Sequence, residues 1–311
     1  MSDCAVLLGA DDWPRRAAAF RQRAERLLDP QRRRAAAGQP HPVWDFLFTY
    51  YSVRPGHLLC WHPGYGVVLA GAQARRHYLG RSGYVAYSTA AHPDGVTVGH
   101  DHLLKRLDTV RFIAGLLEST AARPAQLNCF GLHEWAMVYR LDPSDVRHSG
   151  WPLRLGASGT DAVVDSHQIA CSHFDAHRFF TPEAAPLNAL KPTRESQTAL
   201  EQPGCLHAGM DLYKWAHKLV PAVSSDLVLD CFELARDIRT LDMRAAPYDL
   251  RELGYEPVCI ETSEGKAAYA AAQRGFSARG QALRARLVDA IDAIDAIDAV
   301  DAALCLTDAP D

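Results

Sequence analysis

The stretch 163–180, VVDSHQIACSHFDAHRFF, holds His167, Cys171, His173, Asp175 and His177 within eighteen residues. No other part of the chain gathers potential ligands so tightly. Read as an extended strand, it alternates its side chains between two faces. Asp165, His167, Ile169, Cys171, His173, Asp175 and His177 then share one face. The H-x-D-x-H triplet of His173, Asp175 and His177 points two imidazoles and a carboxylate the same way. Such a set suits a divalent transition metal such as iron, zinc or manganese. The competing reading is a half-buried sheet face whose histidines are satisfied by hydrogen bonds.

Working outward, a proline-rich excursion follows, with Pro182, Pro186, Pro192 and Pro203. It leads to CLHAGMDLYKWAHKLVP, read as a helix over about 205–219 and ended by Pro221. His207 and Asp211 are i, i+4 neighbours there, and Lys214 lies one turn on. A connection this long can carry the chain back over its own strand. His207 and Asp211 would then face His173 and Asp175, with His173 and His207 within about 8 Å of each other, since metal–ligand bonds are only about 2.0–2.2 Å. Lys214 would neutralise an anionic substrate. The alternative is an exposed His–Asp–Lys stripe.

On the N-terminal side, NCFGLHEWAMVYRL places His133 and Glu134 side by side among apolar residues. A zincin motif would need a histidine at 137, where Met137 stands. Adjacent helical residues diverge by about 100°, so the pair is not expected to chelate one ion. Glu134 is the candidate general base or the partner that orients a ligand, with His133 beside it. Upstream, HPVWDFLFTYYSVRPG carries Asp45 inside an aromatic run with Trp44, Tyr50 and Tyr51. A carboxylate in such a setting is costly unless paired. Asp45, Trp44, Tyr51, Trp135 and His133 are therefore the candidate substrate-binding residues; a helix cap or a salt bridge with Arg54 is the structural alternative for Asp45.

Further helices are expected over 12–38, broken or kinked at Pro30, and over 101–120, 225–244 and 263–288. Asp230, Glu233 and Asp237 line one side of the 225–244 helix, but the Glu-x-x-His partners of a dinuclear bundle site are missing. Strand patterns are short and lie between 65 and 100. The fold expected is mainly α with a small β-sheet (α+β). One globular domain spans 1–290, and the IDA repeats of 291–311 form a frayed or disordered tail.

Composition bounds the function. The chain has 311 residues, a formal charge of −4 and 48% hydrophobic residues. It is long enough for a sizeable core. The charge gives no global drive toward nucleic acid or anionic membrane. The only strongly basic stretch holds eight arginines between Arg15 and Arg34. The eight cysteines form no C-x-x-C pair. No run approaches the ~20 apolar residues of a membrane span, and no secretory signal is visible. A cytoplasmic protein acting on a small-molecule substrate, with no membrane partner, is the expectation.

HPVWDFLFTYY, CFGLHEWAMVYR, HFDAHRFF, CLHAGMDLYKWA and LDMRAAPYDL together resemble a bacterial family automatically named 3-methyladenine DNA glycosylase. The resemblance spans most of the chain and implies base excision. No segment matches the catalytic motifs of established alkylpurine glycosylases, so no residue role is carried over. Three functions are thus set against one another. The first is a metal-dependent enzyme, hydrolase or oxidoreductase, acting on a small polar or base-containing substrate. Its ligands are His173, Asp175 and His207, then His167, His177 and Asp211. The second is a glycosylase that stacks a flipped base on Trp44, Tyr50, Tyr51 or Trp135, uses Asp45 or Glu134, and grips phosphates with the Arg15–Arg34 helix. The third is a non-catalytic binding protein with structural histidines.

Overall fold

A computed structural model describes residues 6–90, 94–142 and 150–307, with side chains as far as 294. It is an α+β domain of many helices and one small mixed sheet. The sheet joins β1 (Val6–Leu8), β2 (Val67–Leu69), β3 (Tyr84–Tyr87) and β4 (Gly95–Val98) in the order β1-β2-β4-β3. β1 and β2 run parallel, with Val6 opposite Val67; the other pairs are antiparallel. The strands are three or four residues long; β2, β3 and β4 fall in the expected 65–100 region, and β1 adds an edge strand that was not expected.

The helices follow the chain as α1 (Asp12–Ala36), α2 (Trp44–Thr49), α3 (Ala72–Tyr78), α4 (His100–Leu104), α5 (Leu107–Ala121) and α6 (Leu132–Ala136). Then come α7 (Gly156–Asp165), α8 (Phe174–His177), α9 (Gln197–Leu200), α10 (Leu206–Lys218), α11 (Ser225–Ala245) and α12 (Ser263–Thr307). α1 runs straight through Pro30 instead of breaking there. Pro30 is exposed, so water can take up the carbonyl that its ring leaves without a partner. The 101–120 pattern divides into α4 and α5 at Lys105–Arg106.

The decisive stretch 163–180 is not a strand. Its first three residues close α7, the chain then runs irregularly, and Phe174–His177 makes one helical turn. The physical reason is composition. HQIACSHFDAH has one β-branched residue, Ile169, so little favours a pleated surface. The period-two face does not form, and its members point apart.

The centre of the molecule is α10 against α11, with α12 packed on both. Gly209 is where α10 and α11 approach most closely: a Cβ there would lie 2.8 Å from Ile238 Cδ1. Leu212, Tyr213, Phe232 and Leu234 are fully buried between them. Each such side chain contributes about 1.5–3 kcal/mol by burial. α10 is buried almost all round, so its polar residues His207 and Asp211 lie inside the protein and need partners there. α12 keeps Ile291 and Ile294 buried, and its helical backbone continues to Thr307. The rest of the 291–311 repeat lies outside the described residues, except for that backbone.

Candidate metal centres and the pocket beside them

Two buried groups of His and carboxylate side chains lie in the core, and either could hold a metal ion. The first is His133 and Glu134 from α6 with Asp242 from α11; their donor atoms all lie within 4.8 Å of one another. α6 begins after Gly131, whose φ of +71° turns the chain sharply inward. All five of its residues are buried. The expectation that helical divergence keeps His133 and Glu134 from sharing an ion is therefore corrected. Both side chains are long enough for their tips to converge on Asp242.

Arg239 orders this first group from behind. It lies one turn before Asp242 on α11, fully buried, and stacks over the Phe46 ring at 4.1 Å. It donates to Glu134 Oε1 and, at 2.7 Å, to Asp242 Oδ2. That leaves Asp242 Oδ1 turned toward His133 Nε2 at 2.9 Å. Neither of these two atoms has another partner among the described residues. Burial alone would lower the basicity of His133, but the Asp242 carboxylate outweighs it and raises the imidazole above its ordinary value. Burial pushes the Asp242 carboxyl up, and His133 and Arg239 more than reverse this, holding it far below the usual carboxylate range.

The second group is His173, Glu201 and Asp211. His173 sits at the extended residue before α8, with Nε2 3.1 Å from Glu201 Oε1 and 3.5 Å from Asp211 Oδ2. Asp211 is more fully engaged than Asp242. Tyr51 Oη donates to its Oδ1 at 3.0 Å, and Lys214 Nζ to its Oδ2 at 2.9 Å. Glu201 Oε1 also accepts from Gln197 at 2.6 Å. Burial works against charge on His173, yet Glu201 and Asp211 raise it to about 10.

His207 stands between the groups. Its ring centroid is 4.5 Å from that of His133 and 5.3 Å from that of His173, inside the 8 Å expected of a shared site. Burial, then the neighbouring His133 and His173, push its basicity far below the ordinary value, so this imidazole is neutral.

The other residues singled out in the sequence divide into two kinds. Asp175 pairs with Lys214 at 3.2 Å and Arg178 at 3.0 Å, and joins neither group. Lys214 bridges Asp175 and Asp211. His167 turns its Nδ1 to Val163 O at 2.6 Å, and His177 packs on Phe180; both are apart from the ligand groups. Asp45 accepts from the His41 backbone N–H at 2.7 Å. Trp44 is buried against Phe232, and Trp135 is fully buried with its indole N–H on Ala245 O. Glu201, Arg239 and Asp242 were not foreseen. The only signal for the last two was an Arg–Asp pair at i, i+3 on the apolar face of α11.

A pocket of about 310 Å³ opens beside the first group. Glu134, His207, Arg239 and Asp175 form its polar wall, and Phe46, Tyr50, Trp151 and Phe179 its aromatic one. No member of the second group other than its neighbour Asp175 reaches this pocket. Four of the eight arginines of the basic helix α1 are paired: Arg23 with Asp230 and Glu233, Arg15 with Asp12, Arg21 with Glu25 and Arg33 with Asp29. Among the described residues, no helix is long and apolar enough to cross a membrane. No protein family, curated protein or solved structure matches the chain.

Proposed function

We propose that the protein is a metal-dependent enzyme whose ion is held by His133, Glu134 and Asp242. Its substrate is a small polar molecule with a flat ring. The observation that carries this reading is the facing pair of His133 Nε2 and Asp242 Oδ1, which have no partner but each other among the described residues, in a group whose Glu134 lines the pocket. An ion that takes the place of the His133 proton would bind both atoms and Glu134 together. Both carboxylates are fixed from behind by Arg239, as carboxylate ligands usually are by a second partner. The first group fits an ion better than the second, where Tyr51, Lys214 and Gln197 already occupy three of the four carboxylate oxygens and no member lines the pocket.

A divalent ion bound there supplies Lewis acidity and lowers the pKa of a bound water. The chain's own residues do the rest. His207, neutral at the pocket wall, offers a ring nitrogen that hydrogen-bonds a substrate polar group. The stacked pair Phe46 and Tyr50, with ring centroids 4.6 Å apart, presents an apolar surface for a planar ligand. Arg239 and Lys214 offset two of the four negative charges of Glu134, Asp242, Asp211 and Asp175, and protonated His133 and His173 offset the others, so an added cation replaces protons on histidine.

The test is a titration of Trp fluorescence, with Trp151 in the pocket as reporter and adenine as a flat polar probe. Quenching that requires prior loading with Mn²⁺ or Zn²⁺, and that is lost in Glu134→Ala, supports the reading. Metal-independent quenching of equal size removes it.

The same aromatic pocket supports a second reading, excision of an alkylated base, which the family resemblance suggests. Release of 3-methyladenine from methylated duplex DNA, abolished in Glu134→Ala, would favour it. Intact DNA after prolonged incubation counts against it.

A further inference from the structure

A second cavity, about 530 Å³, shares no lining residue with the aromatic pocket. Its wall carries the imidazoles of His57, His62, His102 and His217 and the guanidinium groups of Arg81 and Arg106. No carboxylate lines it. That is unexpected in a chain with a net charge of −4. Gathering basic groups without a counter-charge is unfavourable unless something negative joins them.

The groups are held in place. Arg106 donates to Val220 O at 3.2 Å and to Lys218 O, which ties the end of α4 to the end of α10. Arg81 donates its Nε to His77 O at 2.9 Å and lies over the Tyr78 ring. Its two terminal nitrogens have no partner among the described residues, so the flat fork that grips phosphate or carboxylate oxygens remains unused. The rings of His57 and His217 are parallel, with centroids 6.0 Å apart. His62 Nδ1 is set by Tyr84 Oη at 3.0 Å. His102 Nε2 is buried and has no hydrogen-bond partner.

We propose that this cavity binds a small organic phosphate, held through Arg81, Arg106 and the surrounding histidines. Its size falls within the range of small-molecule sites and exceeds what a bare phosphate ion fills. The site is independent of the metal reading. Burial first, then nearby cations, hold His62 down to about 4 and lower His102 and His217. The cations concerned are Arg81 and His217 for His62, Lys105 and Arg106 for His102, and His57 for His217. A bound dianion opposes that repulsion, so binding takes up protons and strengthens as pH falls.

The test is calorimetric titration of the full chain with glucose 6-phosphate, pyrophosphate, inorganic phosphate and glucose, at pH 6.0 and 7.5. Glucose 6-phosphate or pyrophosphate should bind with Kd below about 1 mM at pH 6.0, and glucose should not bind. Arg81→Ala should weaken binding by about tenfold or more, as loss of a charge-assisted pair does. The exposed His57→Gln should weaken it less. No binding of any phosphate, or equal binding by Arg81→Ala, would overturn the proposal.

Discussion

His133 Nε2 and Asp242 Oδ1 lie 2.9 Å apart in the core, and neither has another partner among the described residues. His133 comes from a single turn of helix and Asp242 from the long α11, 109 positions apart in sequence. Their meeting depends on Arg239, which fixes both carboxylates of the group.

Arg239 is therefore the residue whose loss is costliest. Arg239→Met leaves Glu134 and Asp242 charged, buried and facing each other. Breaking a buried ion pair from one side costs about 3–5 kcal/mol. Thermal unfolding in chelator should show a loss of that order. A saturating divalent cation should recover part of it, because the cation replaces the missing positive charge. A Tm equal to wild type in chelator would mean that the carboxylates are not held charged.

The second group makes a pH prediction for metal-free protein. His173 is raised to about 10, above an unfolded value near 6.5. A raised folded value means that its protonation stabilises the fold fully below pH 6.5, and that this contribution is lost as pH rises toward 10. The midpoint of urea unfolding should fall across that window. Glu201→Gln should flatten the fall, since Glu201 is the chief cause of the raised value. An identical slope in Glu201→Gln would contradict the pairing.

Glu201 is placed by backbone as well as by charge. Gln202 Oε1 accepts from the N–H groups of Gln126 and Gly204, at 2.8 and 2.7 Å, and Gln273 donates to Gly204 O at 2.6 Å. A Cβ on Gly204 would collide with Gln126 O, a backbone atom that cannot swing aside. Gly204→Ala should cost about 1–3 kcal/mol, the usual range for overpacking. Denaturant unfolding measures it; a cost below a few tenths of a kcal/mol would show that the segment is free to move.

Much of this fold was readable before any coordinates. α1, α5, α10 and α11 follow from apolar residues at helical spacing, and the short strands from Val-rich runs between glycines. His173 and His207 were expected to converge, and they do. The strand through 163–180 was not there, because alternation of polar residues alone does not make a pleated surface without β-branched neighbours. His167 and His177 consequently lie apart from the ligand groups, and Asp175 reaches only their edge, through Lys214 and the pocket wall. Asp242 escaped because α11 displays Asp230, Glu233 and Asp237 on its visible polar side, while its inner face hides a charged pair. Glu201 is a lone acid in a proline-rich passage, and only long-range folding brings it to His173. Tertiary convergence of this kind leaves no periodic trace in sequence.

The most direct test is the metal content of protein purified without an affinity tag, compared with Asp242→Asn and Glu201→Gln. Asp242→Asn keeps the shape of the site while removing the bare anionic oxygen that faces His133. Elemental analysis should find close to one equivalent of a divalent transition metal in wild type and in Glu201→Gln, and a loss of about tenfold or more in Asp242→Asn, as expected when a ligand is removed. Less than a tenth of an equivalent in wild type, with none taken up on dialysis against Zn²⁺, Mn²⁺ or Fe²⁺, would contradict the metal centre. So would a metal content unchanged by Asp242→Asn.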